Sequence, residues 1–201
     1  MYNNDYYRKY GRLKRDYRVS FTLNFAEILG KKPLKILDLG CGVGTYSEAA
    51  AKDGHSVVSV DISKEALCLS KERGLTNLVC ASAIHLPFKP CTFDRVLFID
   101  VIEHLRETAK AFLDIRRVLA PKGLLILQTL YPSILGRYLY NKDSTHQKLY
   151  TVQEVVGLLH SINFRDIHAT ASSFLPRLYP FNIVLRHFFK TITTIKARRG
   201  V

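Results

Sequence analysis

Along the chain, short apolar runs of strand length alternate with stretches whose apolar residues recur at helical spacing. Gly, Pro and Ser/Thr positions separate the two kinds of segment. Val19 to Leu29 reads as an amphipathic helix stopped by Gly30 and Pro33, and Lys35 to Leu39 as a buried strand. Thr45 to Lys52 is a helix ended by Gly54, and His55 to Val60 a second strand. Ser63 is placed to cap a helix running to Arg73, with Gly74 as its stop. Leu78 to Cys80 makes a third strand and Arg95 to Ile99 a fourth. A helix from about Thr108 to Leu119 follows, with Ala111, Phe112, Ile115, Val118 and Leu119 on one face. Pro121, Lys122 and Gly123 turn the chain into a fifth strand, Leu124 to Thr129. Thr151 with Glu154 forms a capping box opening a helix that points Val155, Val156, Leu158, Leu159 and Ile162 one way. Phe164 to Ser172 reads as a sixth strand, Phe181 to Lys190 as a basic amphipathic helix, and Thr191 to Arg198 as a β-branched final strand.

Strand and helix alternating with short connections predict an α/β fold, a doubly wound and mostly parallel sheet with helices on both faces. At 201 residues the chain suits one buried domain. The organisation expected is a basic, Tyr-rich arm and helix over residues 1–32, then one domain over 33–201 with a basic amphipathic insertion around 174–190. The fractions of hydrophobic (47%) and charged (23%) residues are those of a globular protein. No run approaches the roughly 20 apolar residues of a spanning helix, and MYNNDYYRKYGRLKRDYR lacks the apolar stretch of a signal peptide, so a cytoplasmic location is expected. Cys41, Cys68, Cys80 and Cys91 show no metal or disulfide spacing and read as reduced packing residues. The net charge of +13 is concentrated at the flanks. Residues 1–35 hold nine Lys/Arg against three acids, and residues 174–201 hold six against none. Such flanks fit anionic lipid, RNA or solubility equally, and charge alone selects none of them.

The informative segment is Ile36-Leu-Asp-Leu-Gly-Cys-Gly-Val-Gly-Thr45, a strand running through Gly40, Gly42 and Gly44 into a helix. Glycines permit a sharp bend and close approach to a ligand, and a helix N-terminus favours an anionic group. The spacing is G-x-G-x-G rather than the G-x-G-x-x-G of dinucleotide folds. Asp61 closes the second strand, seventeen positions after Gly44, where a carboxylate can accept both hydroxyls of a ribose.

Together with Ala83-Ile-His-Leu-Pro-Phe88 and Thr92-Phe-Asp-Arg-Val96, these segments resemble the class I S-adenosylmethionine-dependent methyltransferases over about residues 33 to 170. The closest likeness is to the subgroup carrying an Asp-Val-Ile-Glu-His-Leu box, here Asp100 to Leu105. The resemblance implies a seven-stranded sheet with its last strand antiparallel, and S-adenosyl-L-methionine as cofactor. It implies that Asp38 and the Gly40 to Gly44 turn hold the methionine end, Asp61 the ribose, and Ser82 with Ala83 the adenine edge, with Asp100 also beside the cofactor. Many relatives carry Asp where this chain has Ser82, and a neutral hydroxyl accepts a hydrogen bond more weakly than a carboxylate.

Asp100, Glu103 and His104 stand at i, i+3 and i+4, so a helical turn after the fourth strand would give them one face, and His146 follows the fifth strand at the same edge. This pattern resembles metal-assisted O-methyltransferases acting on quinone precursors or on RNA 3′ ends, in which Asp100, Glu103, His104 and His146 would hold a divalent ion. The same box occurs in relatives without metal, and a metal is not the favoured reading. His104 or His146 as a metal-free base, and a purely structural role, stand beside it. Tyr6, Tyr7 and Tyr10 would form a lid over the cofactor or belong to a solubilising arm. The expected activity is methyl transfer to a small molecule, a hydroxyl of an aromatic or lipid-like compound, with the Phe174 to Lys190 insertion covering the acceptor pocket or resting on an anionic membrane. RNA methylation guided by the basic flanks is the less favoured alternative, since Asp100-Val-Ile-Glu103 replaces an amino-methylating motif. Non-catalytic binding of the cofactor is the third reading.

Overall fold

The structure, a computed structural model, describes residues 17–172 and 191–200. The Tyr6, Tyr7 and Tyr10 lid and the insertion around 174–190 with its Phe181 to Lys190 helix lie outside the described residues. In chain order the elements are α1 (Tyr17–Phe25), β1 (Lys35–Leu39), α2 (Thr45–Lys52), β2 (Ser56–Asp61), α3 (Lys64–Glu72), β3 (Leu78–Cys80) and β4 (Phe93–Ile99). A single 3-10 turn (Ile102–His104), α4 (Thr108–Val118), β5 (Leu119–Leu130), α5 (Ile134–Asn141), α6 (Val152–Ser161), β6 (Phe164–Ser172) and β7 (Ile192–Arg199) complete it.

The strands form one seven-stranded sheet in the order β3-β2-β1-β4-β5-β7-β6. β1 to β5 pair in parallel, while β7 runs antiparallel to both β5 and β6. The period-2 alternation of the strands sorts their side chains onto two faces. Ile36, Leu97, Ile99, Leu124 and Ile126 meet Val19 and Leu23 of α1 and Ala50 of α2 on one side. Leu37, Leu39, Val96, Phe98, Leu125 and Leu127 meet Phe112 and Ile115 of α4 and Val155 and Leu159 of α6 on the other. Phe112 is fully buried, and truncating such a ring costs about 3–5 kcal/mol. β2 and β4 flank β1 on opposite sides, so the winding reverses there and leaves a crevice at the carboxyl ends of these strands.

Several boundaries differ from the sequence expectation for identifiable reasons. α1 ends at Phe25 instead of Leu29, because Glu27 takes a left-handed φ of 55° and Ile28 donates back to the Leu23 carbonyl. The fifth strand begins at Leu119, and the Pro121-Lys122-Gly123 turn is carried within it: Phe93 pairs with Leu119 and Arg95 with Leu124, so the turn bulges out of the ladder. α5 carries no sequence prediction. Its large apolar residues Ile134, Tyr138 and Leu139 are exposed, which removes the buried-face signal that betrays a helix. Cys41 is buried, but Cys68, Cys80 and Cys91 are exposed, so three of the four cysteines are not packing residues.

Among the described residues, no helix is long and apolar enough to cross a membrane.

Candidate active site

The glycine turn hangs on the end of β2. Gly40 and Cys41 both donate to the Val60 carbonyl, at 2.7 and 2.9 Å, and Gly42 N–H donates to Asp61 Oδ2 at 2.8 Å. Gly40 and Gly44 hold φ values of 74° and 75°, and a Cβ on either would overlap Val101 or Leu75 respectively. Glycine is therefore required at both positions, by conformation and by space. Ser70 of α3 closes the turn from the far side, donating to the Gly42 carbonyl at 2.9 Å.

Asp38 lies beneath this turn, 2% exposed, with Oδ2 accepting from Ser47 N–H at 3.1 Å and Ser47 Oγ at 2.7 Å. Ser59 donates in turn to Ser47 at 2.7 Å. Burial pushes the Asp38 carboxyl up to about 6, against the bonds from Ser47. The structure thus aims this carboxylate at α2, bracing the turn. Asp61 Oδ1 accepts from Ser63 N–H at 2.9 Å. Burial raises the Asp61 carboxyl above its ordinary value against those backbone bonds. The two carboxylate oxygens together offer about four lone-pair sites, more than the backbone N–H groups of Gly42, Ser63 and Ile62 fill, which leaves acceptor capacity for a vicinal diol. Ala81 donates to the Asp61 carbonyl at 3.1 Å, which brings Ser82 and Ala83 to the same edge one strand over. Ile62, 71% exposed beside Asp61, was missed by sequence reasoning. Its signal is a large apolar residue with no core to enter. Amide donors, a carboxylate acceptor and an apolar surface in this order fit an adenosyl amino acid.

Beyond β4 the expected common face is divided. Asp100 takes φ 56° and lies outside the 3-10 turn, and its Oδ1 accepts from Arg18 Nη2 at 2.6 Å. Arg18 is 4% exposed and also donates from Nε to Gln128 Oε1 at 3.0 Å, while Gln128 donates to Thr22 at 2.7 Å. A residue that the sequence counted among the basic flank is therefore a core residue tying α1 to β4 and β5. Asp100 holds the guanidinium's pKa above its ordinary value although burial opposes this. Tyr46, on the first turn of α2, interacts electrostatically with this pair, and burial raises its hydroxyl to about 12.

Glu103, His104 and His146 form a second group, with one ligand atom from each within 4.8 Å of the others; Asp100 is not part of it. Glu103 is 1% exposed and accepts from Thr129 Oγ1 at 3.1 Å. The two imidazoles stand 4.7 Å apart between centroids, and Tyr140 stacks on His146 at 4.9 Å. Burial, with the neighbouring His146, holds His104 below its ordinary pKa, so it is neutral at pH 7. The group presents acceptor atoms, suited to a hydrogen donor or to a cation.

Residues 37–127 match the family described as Methyltransferase domain. Two uncharacterized proteins of Methanocaldococcus jannaschii are similar to this chain. One is 33% identical over 152 residues, covering 74% of this chain and 63% of that protein. The other is 30% identical over 145 residues, covering 69% and 68%. The mitochondrial ubiquinone biosynthesis O-methyltransferase of Schizosaccharomyces pombe is 34% identical over 112 residues, covering 52% of this chain and 41% of that enzyme. In structure the chain is similar to a SAM-dependent methyltransferase from Archaeoglobus fulgidus, with a TM-score of 0.77 at 20% identity, over 97% of this chain and all of that one. The chain belongs to the class I S-adenosylmethionine-dependent methyltransferase family. It spans 63% and 41% of the length of two of these curated relatives.

Proposed function

We propose that this chain transfers a methyl group from S-adenosylmethionine to a small molecule, with a hydroxyl of an aromatic or lipid-like compound as the acceptor group. The observation that carries this reading is one carboxyl edge holding a glycine turn tied to Asp61 and, past Val101, a cluster of acceptor atoms on Glu103, His104 and His146. S-adenosylmethionine, when bound, supplies an activated sulfonium methyl whose transfer breaks a C–S bond and leaves the electron pair on sulfur. Asp61 would grip the ribose hydroxyls, Ile62 pack on the adenine, and Ser82 and Ala83 meet its edge. The turn from Gly40 to Gly44, braced by Asp38, would hold the amino-acid end beside Asp100. His104 or His146 would take the proton of the attacking hydroxyl, a contribution of roughly 10²–10⁴ in rate for a positioned base. Alignment within the crevice supplies the rest. The similarity to a ubiquinone biosynthesis O-methyltransferase supports an oxygen acceptor.

A divalent ion is the second reading, favoured by the grouping of Glu103, His104 and His146. Bonds of about 2.1 Å place two ligands of one ion at most about 4.2 Å apart. A set spread over as much as 4.8 Å would have to draw in, which favours the metal-free base. Contact of residues 174–190 with an anionic membrane belongs to the same proposal, and liposome flotation that weakens in high salt would support it.

Calorimetric titration with S-adenosylmethionine and with NAD tests the cofactor, and incubation of extract fractions with a labelled methyl donor tests the reaction. Binding of the former alone, with label entering a small molecule and unaffected by EDTA, is expected. No binding would sink the proposal, and binding without transfer to any fraction would leave a non-catalytic binding protein.

A further inference from the structure

On the sheet face that meets α4 and α6, β5 and β7 carry matched pairs. Leu125 stands opposite Ala197, Leu127 opposite Ile195 and, near the carboxyl end of β5, Thr129 opposite Thr193. The first two pairs are core. The third puts hydroxyls in the same row, although Thr129 and Thr193 are only 1% and 2% exposed. The two hydroxyls are not equivalent. Thr129 Oγ1 donates to Glu103 Oε2 at 3.1 Å, which sets the pair beside the group of Glu103, His104 and His146. Thr193 Oγ1 is buried and meets no hydrogen-bond partner among the described residues. Its neighbour on the other strand, Ala171 of β6, has no polar side-chain atom to offer. A buried hydroxyl without a partner has given up its bonds to water for nothing, so folding alone favours valine, of nearly the same shape, at this position.

We propose that Thr193 is an acceptor-binding residue whose hydroxyl bonds a second oxygen of the methyl acceptor, a hydroxyl or carbonyl carried besides the hydroxyl that receives the methyl group. This rests on the reading of the pocket at Glu103, His104 and His146 as the acceptor site. A threonine hydroxyl donates to either kind of oxygen and accepts from a hydroxyl, so both substituents satisfy it. An acceptor lacking the second oxygen leaves Thr193 unpaired, as it is in the free protein, and gains no bond there. Thr193 is fixed between the ladders to β5 and β6, so little ordering is needed when the acceptor arrives. The bond is made alike before and during methyl transfer, and it therefore acts on acceptor affinity and not on turnover.

The test compares the full chain with Thr193→Val, Thr193→Ser and Thr129→Val. In urea unfolding without ligand, the midpoint should fall in Thr129→Val, which loses the bond to Glu103, and should hold or rise in Thr193→Val. A lower midpoint in Thr193→Val, or failure of that variant to fold, overturns the proposal, because the hydroxyl then has a structural partner. Labelled methyl transfer is next followed against the concentration of the active extract fraction. Thr193→Val should raise the half-saturating concentration about 3-fold to 10-fold, with the saturating rate and the dissociation constant of S-adenosylmethionine unchanged, and Thr193→Ser should restore it. Phenol, the dihydroxybenzenes and the hydroxybenzaldehydes then serve as competitors. At least one two-oxygen compound should compete better than phenol against the wild type and lose that advantage in Thr193→Val, and which series does so separates a hydroxyl from a carbonyl. A wild-type half-saturating concentration in Thr193→Val, or no advantage for any two-oxygen competitor, overturns the subsite alone. A wild type that transfers to no fraction removes the proposed activity, and the subsite with it.

Discussion

The crevice at the ends of β1 and β2 and the pocket past β4 and β5 are assembled by different means. In the first, the shaping contacts are bonds to backbone atoms between residues close in sequence, such as Gly42 with Asp61, 19 positions apart, and Ser70 with Gly42, 28 apart. In the second, side chains gathered by the fold meet one another, Arg18 with Gln128 across 110 positions and His104 with Thr145 across 41. A site made from backbone groups tolerates little change of conformation but is indifferent to most side chains. One made from side chains on a connecting loop is re-aimed by single substitutions. The first arrangement suits a ligand common to a whole family, and the second suits an acceptor particular to one member. Substitutions in the crevice should therefore damage cofactor binding and stability together, while substitution of the pocket's His104 should change turnover alone.

The largest expected effect is Gly40→Ala, which combines a strained φ of 74° with overlap on Val101. It should cost about 4 kcal/mol of stability in urea unfolding and abolish S-adenosylmethionine binding by calorimetry. Retention of both would remove the distinction between the two regions. Next comes the pH dependence of Asp38, whose carboxyl is raised to about 6 in the fold. The folded state then holds this proton more tightly than the unfolded chain does. The stabilisation is full below about pH 4 and is lost as pH rises through about 6, amounting to about 3 kcal/mol. Asp38→Asn should lack that fall in an unfolding series from pH 4 to 8, and parallel curves for the two proteins would disprove the assignment.

In the pocket, His104→Gln should lower methyl transfer about 100-fold with cofactor affinity within twofold of wild type. A large loss of affinity would mean that the two regions are not separable. The smallest effect is Ser82→Asp, which places a charged acceptor at the adenine edge. It should tighten S-adenosylmethionine binding about fivefold, near 1 kcal/mol, and leave turnover at saturation unchanged.

What the sequence determined by itself is whatever is set within a turn or two of chain. The glycine turn and its helix, Asp61 at the end of β2, Ser63 as the cap of α3, and the capping box of Thr151 and Glu154 all stand as their local patterns predict. The two-faced sheet follows from alternation and from short connections. Tertiary structure decided the rest. With a left-handed φ, Asp100 meets Arg18 and is left out of the group formed by Glu103, His104 and His146, a choice that residue spacing does not encode. Arg18 enters the core because Asp100 and Gln128 await it there, and Thr145 lies against His104 only because β4 and β5 are neighbours. Helix caps and hydrophobic period are properties of adjacent residues. The direction a side chain takes at the end of a strand depends on partners that only folding brings within reach.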